Sequence, residues 1–593
     1  MRAKGRLALT TVLLLLLPCH ALQAVVRYTV NLSDPTRHLV EVSMELPPGP
    51  DAQEVQLPVW NALYQVRDFA QYMDSIRASD LAGNPIRLTP VNKSRWRMTG
   101  TGKGARIEYQ MFVNDPGPYG AELNPQHAFF NLAEILLYTD STRSEESQVK
   151  FENVPAGWKV VTAQPEPAAG LTAGNYDLLV DSPVEMGTFQ ETDFTGRCGT
   201  YRVVVDSAKA SSILPRIVPP LEKITEAATS WMNDCPFQTY TFIFHFTADS
   251  GGGGMEHAYG TAITVSSEEI DNDLDPFTSV SAHEFFHLWN VKRIRPQSLE
   301  PVGYTGEDYT TALWFSEGVD SAVSDLIRLK AGLLDEHRYL YRLSQGIREL
   351  QSRPAHLSQS VEQASLEAWL EKYPYFGLPE RSISYYNKGE LLGVLLDLRM
   401  RELTDGKQSL QTLFRWMNQQ YAKRGKFFDD TEGVLNAVET LTGADFRPFF
   451  ADYVSGVREI PWDSFFAPVG LHVVTSDLLY ADPGFDVVQK FDRPPTIVRV
   501  RPGTDADKAG VKADDEVISI NGAKPGRDFG QEIEKLGPGA TIHIAVRREG
   551  ERLEFQWRLE GRKMRFYEIT DLPSITPEQR RARLQWLSGT STQ

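Results

Sequence analysis

The sequence predicts a multidomain α+β chain, and three textures along it carry that prediction. Residues 25–190 alternate apolar and polar positions over short runs broken by Gly, Pro and Asp. Residues 275–453 repeat apolar positions at helical spacing, and residues 484–559 return to compact strand-and-turn character around one short helix, Phe529–Leu536. A chain of 593 residues is too long for a single hydrophobic core, which sets the expectation at about two to four domains.

The first element is a targeting segment. Arg2, Lys4 and Arg6 precede an apolar run from Leu7 to Leu17, and Ala21 to Ala24 supply small residues suited to cleavage. The run is short for a membrane span, and no later stretch reaches the length needed. The expectation is export to the periplasm or the medium, with retention as an N-terminal anchor as the alternative; Leu17-Pro18 before Cys19 makes a poor lipobox. Beyond this segment only Cys198 and Cys235 remain, and they are open to two readings, one disulfide or two buried thiols. Neither sits at metal-ligand spacing. The formal charge of -17 excludes a nucleic-acid backbone as partner, because phosphate contacts need clustered Lys and Arg.

An all-β N-terminal domain is expected over residues 25–195, with strands at 26–30, 39–44, 105–113 and 158–163. A further domain follows over residues 196–465. It opens with strands at 202–206 and 239–246 around a helix between Pro219 and Asn233. Asp275-Pro276 reads as an N-cap followed by Pro at the first helical position, starting a helix to about Asn290. A second helix is expected over 311–330, ending at Gly332, and a strongly apolar one over 387–403. Residues 466–565 form the next unit. Residues 566–593 are a tail whose Thr576-Pro577-Glu578-Gln579 fits a capping box before a short helix.

The chemistry concentrates in His283-Glu284-Phe285-Phe286-His287. Residues four apart share a helix face, so His283 and His287 can present two imidazoles to one metal, with Glu284 beside the open coordination position. Zinc held by two His and a carboxylate makes a water acidic enough for that glutamate to take its proton, which is the chemistry of peptide hydrolysis. The third ligand must come from another element. Glu317, early on the next helix among apolar neighbours, is favoured because a metal removes the cost of burying its charge. Glu307 and Asp308 are rivals in a polar loop, and Asp320 and Asp325 are candidates to orient a ligand histidine.

Four segments together resemble the PDZ-containing glycyl aminopeptidases, relatives of the gluzincin aminopeptidases. They are Gly253-Gly254-Met255-Glu256-His257, the run from His283 to Pro296, the run from Leu313 to Gly318, and Ser384-Tyr385-Tyr386-Asn387-Lys388-Gly389. The resemblance implies a thermolysin-like catalytic domain holding one Zn2+ per chain on His283, His287 and Glu317, with Glu284 as general base. It implies that Glu256 holds the free α-amino group of a peptide substrate, that Gly254 and Met255 line the substrate, and that Tyr386 donates to the oxyanion. Tyr385 is the alternative for that last role. Small N-terminal residues, Gly or Ala, are the family's preference.

Residues 503–511 and 514–522 resemble a PDZ domain of the bacterial protease type, which would take a peptide C-terminus by strand addition. Gly484-Phe485-Asp486-Val487 is only a fair match to its carboxylate-binding loop, which leaves a purely structural module as the other reading. The function expected is therefore a zinc aminopeptidase acting on peptides with a free N-terminus. The alternatives are a zinc endopeptidase, for which Glu256 would have no use, and a PDZ-bearing binding or chaperone protein with a vestigial metal site.

Overall fold

A computed structural model describes residues 24–61, 64–163, 170–247, 252–370, 378–488, 494–526 and 529–589. The targeting segment, apart from Ala24, lies outside the described residues. No helix among those described is long and apolar enough to cross a membrane.

The chain is multidomain α+β and divides into two units. The first comprises Met1–Glu336, Pro354–Glu459 and Leu584–Gln593; the second comprises His337–Arg353 and Ile460–Arg583.

The first unit begins with a seven-stranded sheet, in which Val25–Asp34 lies between Glu146–Glu152, parallel to it, and the antiparallel Leu39–Leu46. Strict alternation sends Val26, Tyr28, Val30 and Leu32 to one face, matched by Val40, Val42, Met44 and Leu46, and by Ala105, Ile107, Tyr109 and Met111. These residues join one apolar core with Phe130, Leu132 and Leu136. Beside it stand a three-stranded sheet and a four-stranded sheet, the latter in the order Lys159–Thr162, Val184–Gly187, His127–Phe130, Ala121–Leu123.

A five-stranded sheet carries the candidate site. Its order is Gln190–Gly196, Gly199–Asp206, Thr239–Thr247, Gly260–Ser266, Gly253–His257. The second, third and fourth of these are parallel, the outer two antiparallel. The crossover between the first parallel pair is the helix Ala210–Met232, which starts well before the Pro219 expected from sequence. Pro215, Pro219 and Pro220 all lie inside it, because the buried stripe Ile213, Ile217, Leu221 and Ile224 runs across them. Burial of that stripe outweighs the lost donors. Cys198 and Cys235, at either end of this crossover, are disulfide-bonded.

The histidine helix spans Asp275–Phe286, shorter than the expected run to Asn290. Asp275 is its first residue rather than its N-cap; its carboxylate is spent on an ion pair with the buried Arg328. Instead of one helix over 311–330, a π-helical turn, Trp314–Val319, leads into the α-helix Asp320–Lys330. The helix Tyr385–Leu403 lies against both. Asp308, a rival for the third ligand position, accepts from the backbone amide of Gly303.

The second unit is built on an antiparallel five-stranded sheet, ordered Phe485–Val488, Thr496–Val500, Glu516–Ile520, Thr541–Arg548, Glu551–Arg558. Phe485, Ile497, Val517, Ile533, Ile544 and Trp557 fill its core. A ribbon of Leu471–Asp482 and Glu560–Asp571 accompanies it. Its second strand runs through residue 566, so the tail expected over 566–593 begins inside a strand. The helix Glu336–Ser352 also packs here: Ser344 Oγ accepts from the amide of Ile569 at 3.0 Å. That helix falls within residues 196–465 in sequence, yet it belongs to the second unit and not to the catalytic bundle expected there.

Candidate active site

Three elements converge. His283 and His287 come from the end of the histidine helix, Glu317 from the π-helical turn, and Glu284 and Glu256 face each other between that helix and the edge strand Gly253–His257. The Nε2 atoms of His283 and His287 are 3.0 Å apart, and Glu317 Oε2 lies 3.4 Å from each. Such separations are those of ligand atoms sharing one tetrahedral ion with bonds of about 2.0–2.2 Å.

The opposite ring nitrogens are also engaged. Asp320 lies 3.2 Å from Nδ1 of His283 and 3.5 Å from Nδ1 of His287, which is 3.1 Å from the carbonyl oxygen of Asn290. Acceptors at Nδ1 hold the ring protons there and leave both Nε2 lone pairs facing Glu317. Asp320 also groups with the two histidines as a possible ion-holding set. It sits on the far side of both rings, however, so Glu317 completes the inward-facing set and Asp320 orients it.

The electrostatics fit a site built for positive charge. Burial alone would lower the imidazoles and raise the carboxyls; in each other's field His287 is instead raised well above its ordinary value and Glu317 is held far below. Burial pushes Asp320 up to about 6 and Glu284 up to about 7, the latter against the pull of both histidines. Glu284 Oε2 is buried with no hydrogen-bond partner among the described residues, an acceptor left open beside the two histidines. The donor set, the oriented tautomers and this orphaned oxygen suit zinc.

Local sequence explains the positions. A π-turn inserts one extra residue per turn and is common at functional sites; here it brings Glu317 to the histidines. The two Nδ2 protons of Asn290 go to the carbonyl oxygens of Phe315 and Ser316, tying the end of the histidine helix to that turn. Val291 follows at φ 79, a left-handed conformation that costs a β-branched residue about 1–3 kcal/mol. Gly318 and Gly389 meet face to face: a Cβ on Gly318 would lie 2.5 Å from Gly389 Cα, so only two glycines allow this crossing.

On the edge strand, Gly254 and Glu256 face the cleft, while Met255 and His257 are buried on the other side. A Cβ at Gly254 would meet the Glu284 carboxylate at 2.3 Å. Met255 therefore turns its backbone, not its side chain, toward the cleft. Glu256 has an oxygen within 4.8 Å of both Glu284 and His287. Of the tyrosine pair, Tyr386 is half-buried with its ring 6.1 Å from that of His283, whereas Tyr385 is buried.

Several neighbours of the site carry no signal of their role in the sequence. Lys292 Nζ is 2.9 Å from Asp181 and 3.9 Å from Glu256, and Asp181 also accepts from His257 Nδ1 and the amide of Ala258. Tyr119 places its hydroxyl where a Cβ of Gly253 would be. Asp181, at the C-cap of the helix Tyr176–Val180, and Tyr119, in the turn before Ala121–Leu123, lie far from the motifs in sequence, and no local spacing announces them.

This fold and this site define a metallopeptidase. Two family profiles place the chain more closely: Peptidase M61 N-terminal domain matches residues 27–188, and M61 glycyl aminopeptidase matches residues 276–392. The two matched stretches take in the N-terminal sheets and the segment that runs from the histidine helix through the π-turn into the helix Tyr385–Leu403. Among solved structures it is similar to an aminopeptidase N family protein from Idiomarina loihiensis, at 24% identity over 95% of this chain and 100% of that one, with a TM-score of 0.82. More distant likenesses include an M1 zinc metallopeptidase from Deinococcus radiodurans, at 14% identity over 74% and 94% of the two chains and a TM-score of 0.48. Yeast LTA4 hydrolase in complex with bestatin follows at 14% identity, 75% and 67% coverage and a TM-score of 0.45. No curated protein matches.

Proposed function

We propose that the chain is an exported zinc aminopeptidase that removes small N-terminal residues, Gly or Ala, from peptides. The observation carrying this reading is the inward-facing trio of His283, His287 and Glu317, with the unpartnered Glu284 oxygen beside it and Glu256 within reach on the edge strand. His283, His287 and Glu317 would hold one zinc ion. Bound there, the ion supplies Lewis acidity that polarises a peptide carbonyl and makes a water's proton easier to remove.

The chain's own residues do the rest. Glu284 takes the proton from the attacking water and passes it to the leaving amine, a shuttle suited to a carboxyl raised to about 7. Tyr386 donates its phenolic proton in a hydrogen bond to the oxyanion. Glu256 receives the substrate's α-ammonium, a charge-assisted contact that an N-blocked peptide cannot make. The extended backbone of residues 253–255 lies along the substrate, and Gly254 leaves room for Glu284 beneath it.

Two further parts belong to this reading. Residues 466–565 form a PDZ module, supported by the sheet whose outer strand is Phe485–Val488 and by the helix Phe529–Leu536. Its ligand would be an extended peptide C-terminus added at that outer strand. Residues 1–24 form the export signal, supported by the basic start and the apolar run.

Alanyl and glycyl reporters with free and N-acetylated termini test the proposal. Free substrates should be cleaved, acetylated ones not, and chelation should abolish activity until zinc is restored. Equal rates on both would make the enzyme an endopeptidase instead.

A further inference from the structure

A second cluster lies outside the catalytic trio and shares no residue with it. Two sheets of the first unit face each other across it. From the four-stranded sheet come Glu122, His127 and Glu185; from the five-stranded sheet come Asp206 and His245, which are register partners on neighbouring strands. His127 Nδ1 is 3.2 Å from Glu185 Oε1 and 3.3 Å from Asp206 Oδ2, and His245 Nε2 is 2.8 Å from Glu185 Oε2. One donor atom each from His127, Glu185 and His245 lies within 4.8 Å of the other two. Glu122 sits on the other ring nitrogen, 3.4 Å from His127 Nε2.

We infer that His127, Glu185, Asp206 and His245 form a second divalent-cation site, suited to zinc, that clips the N-terminal β region to the catalytic sheet. The imidazole–carboxylate pairs are 2.8–3.3 Å apart, close to those of the catalytic trio, and Glu122 stands behind the His127 ring as Asp320 stands behind the catalytic rings, placed to hold a proton on the outer nitrogen. Mixed imidazole and carboxylate donors are those that zinc takes.

Charge points the same way. The cluster holds three carboxylates, and none of their ion pairs among the described residues is with a lysine or arginine. Glu185 is fully buried and His245 nearly so, while Glu122 and His127 are half-buried. With both imidazoles neutral, the fully buried Glu185 would carry its charge beside two further part-buried carboxylates, an arrangement that is costly without a counter-charge. A divalent cation supplies two positive charges at once and leaves the imidazoles as neutral donors. Phe129, Val161, Val204 and Ile243 cluster with one another at this seam, and Phe129 stacks edge-on against His245 at 4.9 Å. Asp206 is 30% exposed, giving an ion a way in.

Metal content separates this site from the catalytic one. The full chain, loaded with Zn2+ and freed of excess, should hold about two ions by mass spectrometry of the metal. His283→Ala should remove one and abolish peptidase activity, and Glu185→Gln should remove the other. As a check that does not rely on the folding of Glu185→Gln, the His283→Ala chain titrated with Co2+ should gain visible d–d absorption from the remaining site, and adding His127→Asn should erase it. About one ion in the wild type, lost entirely in His283→Ala, would overturn the inference and leave a proton-held ion-pair network in its place. Loss of peptidase function alone would leave the second site untouched.

Discussion

At the scale of single residues, the active-site region stores free energy in side chains that burial has taken from water. Lys388 is the clearest case. It is 1% exposed, its Nζ has no hydrogen-bond partner among the described residues, and burial pulls its ammonium down to about 8 against the attraction of Glu459. The sign follows from linkage. Between pH 8 and about 10.5, the ordinary lysine value, the unfolded chain holds a proton that the folded chain has released. Stability should therefore rise with pH across that window, and below it the folded chain bears the full cost of a buried ammonium, roughly 3 kcal/mol. Lys388→Met should raise the melting temperature of the first unit at neutral pH and flatten its slope between pH 8 and 10.5. A lower melting temperature would mean that the ammonium has a partner.

At the scale of elements, the site was legible where its parts were local and hidden where they were not. His283, Glu284 and His287 are set by one helical repeat, and Glu317 stands out as a carboxylate among apolar neighbours. Asp320 is legible as a candidate to orient a ligand histidine, but its reach to both imidazoles depends on a π-turn that propensities do not announce. The early start of the helix at Ala210 was masked by three prolines that read as breakers but sit on a continuous buried stripe. The His127 cluster draws on five strands and has no spacing to find. What holds the catalytic elements in place is the glycine crossing: a Cβ on Gly389 would lie 2.4 Å from Trp314 O and 2.9 Å from Gly318 Cα, both rigid backbone. Gly389→Ala must push the helix Tyr385–Leu403 off the π-turn, moving Glu317 and Tyr386 together. The expected result is a loss of about 1–3 kcal/mol or more and weaker zinc retention during dialysis. Unchanged zinc retention would show that the crossing does not position Glu317.

At the scale of the whole molecule, the chain does not lay its two units end to end. It leaves the first for the helix Glu336–Ser352, returns, leaves again from Ile460 to Arg583, and comes back for the last residues. A chain shortened after Glu459 looks, by sequence texture, like a clean catalytic fragment. It would keep that helix but lose the strand Glu560–Asp571, which Ser344 and Arg348 touch at Ile569 and Phe566, and the buried stripe Tyr339, Leu340, Leu343 and Ile347 would lose the rest of its unit, at about 1.5–3 kcal/mol for each large side chain exposed. It would also lose Trp586, fully buried within the first unit, and the Gly589 carbonyl that accepts from Trp231 Nε1. Deleting a buried tryptophan alone costs about 3–5 kcal/mol, a large share of the 5–15 kcal/mol that holds an ordinary domain. The shortened chain should therefore melt lower and aggregate on expression, even though every catalytic residue remains. Trp586→Ala in the full chain should reproduce the first unit's share of that loss with the second unit intact. If instead the shortened chain melted with the full-length first unit, the tail would be an appendage, and the interleaving of the two units would carry no stability.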